Sequence, residues 1–312
     1  MYNKKILITG CEGFIGKNLK QYFSKIKEFI ILSPTYSELD LCNNLQVSNF
    51  LKREKPDIII HSATTLMVNK GYPENVCEKN LRMFFNIYEN MRQSSKLINL
   101  GSGSEYNRKY WTDNMEENYF GRYIPDDSHS YSKYIISKFI EKDSTKNIIN
   151  LRLFGIYGEH EDYKFKFISN SIAKNILNLP ITINQNCMFD YIHINDFSKI
   201  CEDLIKKKRK YKTYNVTPDK SIDLESLANL INKVSYNKVD IKVLNKGMGT
   251  YYTGNNSRFR EDFPDFNFIS YEAGIKQIFK RLESNKKNLN KNELKKDSFL
   301  KYAKMNREKY FR

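Results

Sequence analysis

The chain has 312 residues, 40% of them hydrophobic, enough for one large α/β unit with a smaller lobe beside it. No apolar run approaches the ~18 residues of a membrane span, and the 5 cysteines (Cys11, Cys42, Cys77, Cys187 and Cys201) lack CxxC spacing, reading as reduced thiols and not as a disulfide framework, a zinc site or any other metal site. Lys and Arg total 52 against 36 Asp and Glu, a formal charge of +16 that suits small anionic ligands. Most of that charge reads as solvated surface, with no nucleic acid and no membrane expected as partners.

Lys5-Ile6-Leu7-Ile8 is the first predicted strand. It runs into Thr9-Gly10-Cys11-Glu12-Gly13-Phe14-Ile15-Gly16 and then a helical pattern from Asn18-Leu19 to Tyr22-Phe23. Strand, glycine turn and helix in this order suit a pyrophosphate: the glycines let the backbone approach, and the helix start offers free N–H groups and a positive dipole end. The spacing is GxxGxxG, and a tight turn with no ligand is its other reading. Phe29-Ile30-Ile31-Leu32, Ile58-Ile59-Ile60, Leu97-Ile98-Asn99-Leu100 and Ile149 to Phe154 follow as strands. Helical stretches such as Leu45 to Lys52 and Asn80 to Met91 lie between them. Short buried strands alternating with helices predict a doubly wound parallel sheet. After about residue 160 the pattern loosens: Ile181-Thr182-Ile183, Tyr191 to Ile194 and Tyr214-Asn215-Val216 read as strands, and Leu224 to Val234 as a helix capped by Asp223. The expected division is a dinucleotide-binding domain at 1–160, mainly a substrate lobe at 161–280 with segments returning to the first, and a basic, helical extension at 281–312. Because the chain starts directly in a strand pattern with no secretory signal, the expected location is cytoplasmic.

Thr9 to Gly16 resembles the TGxxGFIG signature of extended short-chain dehydrogenases/reductases, the nucleotide-sugar epimerase, dehydratase and reductase family. Further family-like segments follow in order over residues 4–280. The resemblance implies a Rossmann-like α/β fold with a smaller C-terminal substrate lobe, and a nicotinamide dinucleotide held at Gly10, Gly13, Phe14, Ile15 and Gly16. Ser37-Glu38-Leu39-Asp40-Leu41 looks like the ELDL segment, whose Asp-Leu pair, here Asp40 and Leu41, flanks the adenine; Asp40 also reads as a helix cap. His61-Ser62-Ala63-Thr64 resembles the HxAA segment, which places Ser62 and Ala63 against the cofactor, and Asn80 falls where the family often has a structural Asn. The tip of the second strand, Leu32-Ser33-Pro34-Thr35, has no Asp or Glu for the ribose hydroxyls, which leans towards NADP. It has no Arg either, and Glu12 would face a 2′-phosphate unfavourably, so NAD stays open.

Leu100-Gly101-Ser102-Gly103-Ser104-Glu105-Tyr106 resembles the LSSxxVYG segment, which puts Ser102 in the catalytic serine slot and makes Ser104 a candidate substrate contact. Gly103 and Ser104 replace the Asp-Glu pair of sugar 4,6-dehydratases, and the Cys of the 3,5-epimerase-reductases is missing. The family's Tyr-x-x-x-Lys motif has two registers here. One takes Tyr134 and Lys138. The other aligns Tyr-Gly-x-Ser-Lys-Tyr so that His129 fills the tyrosine slot and Lys133 is the lysine, which would hold the nicotinamide ribose. From Lys133 the helix has room for about four turns before the strand at Ile149, and this favours the Lys133 register. An imidazole can donate a proton near neutral pH, with Lys133 pushing its pKa down; Tyr131 or a water are the other donors. Gly155 replaces the Asn of LRxxNxYG, and Phe189 the Arg of RDFxxVDD, so Lys164, Lys166, Lys174 and Arg258 are candidates to meet the diphosphate. Together these segments imply an NAD(P)-dependent nucleotide-sugar oxidoreductase, a homodimer that reduces a 4-keto sugar nucleotide in surface-polysaccharide sugar synthesis. A 4-epimerase with bound NAD and a non-catalytic nucleotide-binding homologue are the alternatives.

Overall fold

Residues alternate faces along a strand, and the central strands use both faces for apolar packing. Ile6, Ile8, Ile58, Ile60, Ile98, Leu100, Ile149 and Leu151 enter one core, while Leu7, Ile59, Leu97 and Ile148 enter another on the opposite face. A sheet buried on both sides is the result. The computed structural model describes residues 3–67, 71–298 and 300. In chain order its elements are β1 (Lys4–Thr9), α1 (Phe14–Phe23), β2 (Phe29–Leu32), α2 (Asn44–Glu54), β3 (Ile58–His61), α3 (Val76–Asn90), β4 (Lys96–Ser102), α4 (Ser128–Lys142), β5 (Asn147–Leu153), β6 (Gly155–Tyr157) and α5 (Phe167–Ile176). They continue with β7 (Ile181–Phe189), β8 (Tyr191–His193), α6 (Ile194–Lys206), β9 (Thr213–Val216), β10 (Ile222–Asp223), α7 (Leu224–Val234), β11 (Ile241–Tyr252), α8 (Ser257–Asp262), α9 (Tyr271–Ser284) and α10 (Lys291–Lys295).

Six strands form one parallel sheet in the order β2-β1-β3-β4-β5-β9. Leu19 and Phe23 of α1 and Phe197, Ile200 and Leu204 of α6 cover one face; Val47 and Leu51 of α2, Phe84 and Ile87 of α3, and Ile136 and Ile140 of α4 cover the other. This is the doubly wound, Rossmann-like arrangement expected from the alternating pattern. Strand order reverses between β1 and β3, and the crevice at the carboxyl ends of those strands is where such sheets take their ligands.

Beyond β5 the chain builds a second core from α5, α7 and α9 against β7. β7 pairs antiparallel with β10 and parallel with β11, and β6 pairs with β8. Several elements here escape sequence reading. β11 is exposed over most of its length and shows no apolar alternation, and α5, whose Ile168, Ile172 and Ile176 recur every four residues into this core, also buries its polar residues. Ile194, expected in a strand, instead opens α6, where His193 accepts from Asn195 N–H as the cap. The expected basic extension breaks into short pieces and folds back on its own chain. Leu294 of α10 is buried with Ala173 and Leu179, and Asp297 bonds Thr182 Oγ1 at 2.9 Å and pairs with Lys174. Lys174, a candidate diphosphate ligand, is thus a buried partner of that segment. Residues 301–312 of the extension lie outside the described residues.

Candidate active site

The glycine turn sits at the reversal of strand order. Gly10 has φ +67°, and a Cβ on it would lie 2.8 Å from the Ala63 backbone. A Cβ on Gly16 would lie 2.1 Å from the Gly10 carbonyl oxygen. Both positions need glycine so that α1 can start against the loop leaving β3. Ser62 closes that contact by donating to the Thr9 carbonyl at 2.5 Å. Gly13 caps α1 without any side-chain bond. The first-turn N–H groups, at Phe14, Ile15 and Gly16, have no intrahelical acceptor and suit an anion. A dinucleotide pyrophosphate fits this cradle.

Around it, Leu41 is buried under α2 and α3. Asp40 builds the turn into α2: its Oδ1 accepts from Cys42 N–H at 2.9 Å and its N–H donates to Gln46 at 3.0 Å. Asn80 ties three segments together, accepting from Thr65 N–H and donating to Ser132 of α4. Glu12 reaches across to the loop leaving β2 and accepts from Tyr36 N–H at 2.9 Å. A groove of about 450 Å³ runs beside it, lined by Lys17, Lys20, Thr35 and His160.

The carboxyl end of β4 carries the second half of the site. Glu105 is fully buried; it accepts from Ser102 N–H at 2.9 Å and from Arg152 Nε at 2.7 Å. This pair holds the backbone of Ser102. The Ser102 hydroxyl oxygen accepts from Ser104 N–H at 3.1 Å and from the Ser104 hydroxyl at 2.9 Å, which leaves its own hydrogen to donate outward, on the side where the Tyr252 hydroxyl lies at 3.4 Å. Ser104, expected to touch substrate, is buried and spends its hydroxyl on Ser102.

On α4, His129 and Lys133 lie one turn apart and both point into the protein. Lys133 Nζ donates to the Leu100 carbonyl at 2.8 Å, and burial lowers its pKa to about 8. His129 stacks on Tyr72, ring centroids 4.2 Å apart and planes 2° from parallel. Its Nδ1 is buried without a partner. Burial and then the Lys133 ammonium push its pKa down to about 3. Both causes favour the neutral imidazole over the charged one. The other register faces elsewhere. Tyr134 packs on Phe120 at 5.0 Å, Lys138 Nζ lies over the same ring at 5.7 Å, and Tyr131 is exposed.

Of the remaining substrate candidates, Lys166 is exposed at the start of α5. Arg258 pairs with Glu117 at 3.8 Å and covers the Tyr211 ring, so its guanidinium is already engaged. A Cβ on Gly155 would lie 2.5 Å from the Tyr191 ring, so packing excludes the family's Asn there. The residues that sequence reading missed come from outside the motifs. Tyr252, the last residue of β11, places its hydroxyl 3.4 Å from Ser102 Oγ. Trp111 stacks on the Tyr252 ring, and Arg108 lies over Trp111 while pairing with Asp127.

A family model described as the NAD dependent epimerase/dehydratase family matches residues 6–217, more than half of the chain. The chain belongs to that family. Within the epimerase/dehydratase family it is similar to a GDP-6-deoxy-D-talose 4-dehydrogenase of Aggregatibacter actinomycetemcomitans, at 26% identity over 251 residues, 76% of this chain and 82% of the relative. It is 34% identical over 107 residues to a GDP-L-colitose synthase of Yersinia pseudotuberculosis; that match takes in 33% of this chain and only 34% of the synthase's length. Among solved structures, a dTDP-glucose 4,6-dehydratase of Bacillus anthracis in complex with NAD superposes with TM-score 0.75 at 18% identity, over 91% of this chain and 98% of that one. A GDP-mannoheptose C4 reductase of Campylobacter jejuni with NADP bound gives TM-score 0.72 at 18% identity, over 89% and 98%. These superpositions speak for the epimerase/dehydratase fold. Among the described residues, no group of His, Cys, Asp and Glu suits a metal ion, and no helix is long and apolar enough to cross a membrane.

Proposed function

We propose that this protein is an NAD(P)-dependent nucleotide-sugar oxidoreductase that reduces a 4-keto sugar nucleotide. The observation that carries this reading is the placing of Ser102. It lies at the carboxyl end of the sheet that bears the glycine cradle, with a hydroxyl hydrogen left to donate outward and Lys133 buried beside the same strand. A bound nicotinamide supplies the hydride. Ser102 bonds the keto oxygen, and Lys133, at present on the Leu100 carbonyl, holds the ribose hydroxyls; its lowered pKa comes from the burial such a position entails. Gly10, Gly13 and Gly16 take the pyrophosphate.

Dehydration is disfavoured on packing grounds. A Cβ at Gly103 would lie 2.7 Å from the Phe154 ring, so an acid there has no room. The names of the relatives support a sugar carried on a nucleoside diphosphate. At the adenosine end two signs compete. The β2 tip has no carboxylate of its own, which favours NADP, while Glu12 sets one against Tyr36 in the loop that follows.

The test is turnover of 4-keto derivatives of GDP-, dTDP- and UDP-sugars with NADPH and with NADH, read as loss of reduced-cofactor absorbance. Oxidation of cofactor in step with sugar reduction is the expected result. Tightly retained NAD with interconversion of 4-epimers and no net oxidation would replace this reading with the epimerase one.

A further inference from the structure

The reduction of a ketone needs a proton at the oxygen as well as a hydride at the carbon. The helix that bears the family's tyrosine slot offers only His129 at that position, and its ring is buried, stacked on Tyr72 and without a partner at Nδ1. A phenol does reach Ser102, but from the other lobe. Phe154, the residue that leaves β5, makes this possible. A Cβ at Gly103 would lie 2.7 Å from its ring, and one at Gly254 would lie 2.5 Å from it. With glycine at both places, the turn after β4 and the end of β11 each close against Phe154. Tyr252, two residues before Gly254, is thereby brought to the tip of β4.

The Tyr252 ring is held on three sides by aromatics, Trp111 at 4.1 Å, Phe154 at 5.0 Å and Phe189 at 6.0 Å. Its hydroxyl lies 3.4 Å from Ser102 Oγ. Two hydroxyls this far apart can bond one oxygen placed between them. We propose that Tyr252 is the catalytic proton donor, its phenol taking the role that a residue of α4 has in the rest of the family. The proposal rests on the reductase reading given above. As hydride from a reduced nicotinamide bonds to the keto carbon, the carbon–oxygen π pair moves onto oxygen. That oxygen takes the phenolic proton, so the Tyr252 O–H bond breaks as the alcohol O–H bond forms. The phenolate is reprotonated from water. Burial raises the Tyr252 pKa, so the phenol enters the step protonated.

Phe189 has a place in the same device. It stands where an Arg was expected for the diphosphate, and it serves as one wall of the Tyr252 ring.

Tyr252→Phe removes one oxygen and keeps the ring. Trp111, the only tryptophan in the sequence, stacks on that ring, so its emission reports sugar-nucleotide binding without turnover. For Tyr252→Phe, kcat is expected to fall by ~100-fold to ~10,000-fold. KM for the keto sugar, and the affinity for the reduced sugar nucleotide read from Trp111, should stay within about threefold of the parent. Turnover within about threefold of the parent overturns the proposal and leaves the reductase reading standing. So does a loss of turnover confined to His129→Phe, which would return the role to the imidazole. A loss of affinity matching the loss of kcat would make Tyr252 a binding group only, and also overturns it. A parent that reduces none of the 4-keto sugar nucleotides defeats the reductase reading itself, and the proposal with it.

Discussion

Replacing Glu105 with Gln tests whether a buried ion pair behind Ser102 holds the site in shape. Both Glu105 oxygens accept from N–H donors, one from Ser102 N at 2.9 Å and one from Arg152 Nε at 2.7 Å. A glutamine has one acceptor and one donor at its tip. Either orientation sets an N–H against an N–H in a fully buried place, and Arg152 loses a charge partner while itself fully buried. Breaking a buried pair by removing one partner costs about 3–5 kcal/mol. Arg152 keeps Ser137 at 2.8 Å and Glu141 at 3.1 Å, so the low end, about 3 kcal/mol, applies. Glu141 is 34% exposed, and Glu141→Gln should cost about 1 kcal/mol or less. Reversible urea unfolding of the parent and both variants measures the difference. If Glu105→Gln costs no more than Glu141→Gln, the pair is not what anchors the Ser102 turn.

Acid stability tests the neutral state assigned to His129. Burial, and after it Lys133, lowers its folded pKa to about 3 from an ordinary 6.5. Its contribution is therefore complete above pH 6.5 and is lost as pH falls, because the unfolded chain binds a proton that the fold refuses. Between pH 7.5 and 5.5 this loss is about 1.4 kcal/mol, and His129→Phe should lose that much less than the parent. Asp190 and Asp196, raised to about 6 by burial, act with the opposite sign but are common to both proteins and cancel in the comparison. Identical acid limbs for variant and parent would contradict the assignment. Gly16→Ala puts a Cβ against the Gly10 carbonyl, a backbone atom that cannot swing aside, and should abolish cofactor binding measured by energy transfer to the reduced nicotinamide. An Ala variant that binds like the parent would rule out the cradle. Glu12→Gln removes a negative charge beside the β2 loop, worth about 1 kcal/mol at an exposed site. The NADPH/NADH ratio of kcat/KM should rise about fivefold; an unchanged ratio would place Glu12 away from the 2′ position.

Much of the large unit was legible because its signals are local. Ile6, Leu7 and Ile8 alternate between two cores, and the same period recurs in β3, β4 and β5. The choice between Lys133 and Lys138 was framed by helix length; in the fold Lys133 Nζ meets the Leu100 carbonyl, while Lys138 Nζ lies over the Phe120 ring. The second lobe was harder. β11 is a largely exposed strand held by pairing with β7, so its residues need no apolar alternation to be there. Ser104 and Arg258 looked like substrate contacts because a sequence shows a polar side chain but not the partner that has already taken it.

What the sequence determined by itself is the parallel sheet, the glycine turn and the position of Ser102 at a strand end. Each follows from periodicity or from a steric demand within a few residues. What only the tertiary structure decided is which phenol meets Ser102. That contact joins β4 to the end of β11, elements far apart in the chain, and it exists because Gly103 and Gly254 leave room for one ring, Phe154. No local pattern encodes such a meeting, since neither glycine shows its purpose until the other is beside it.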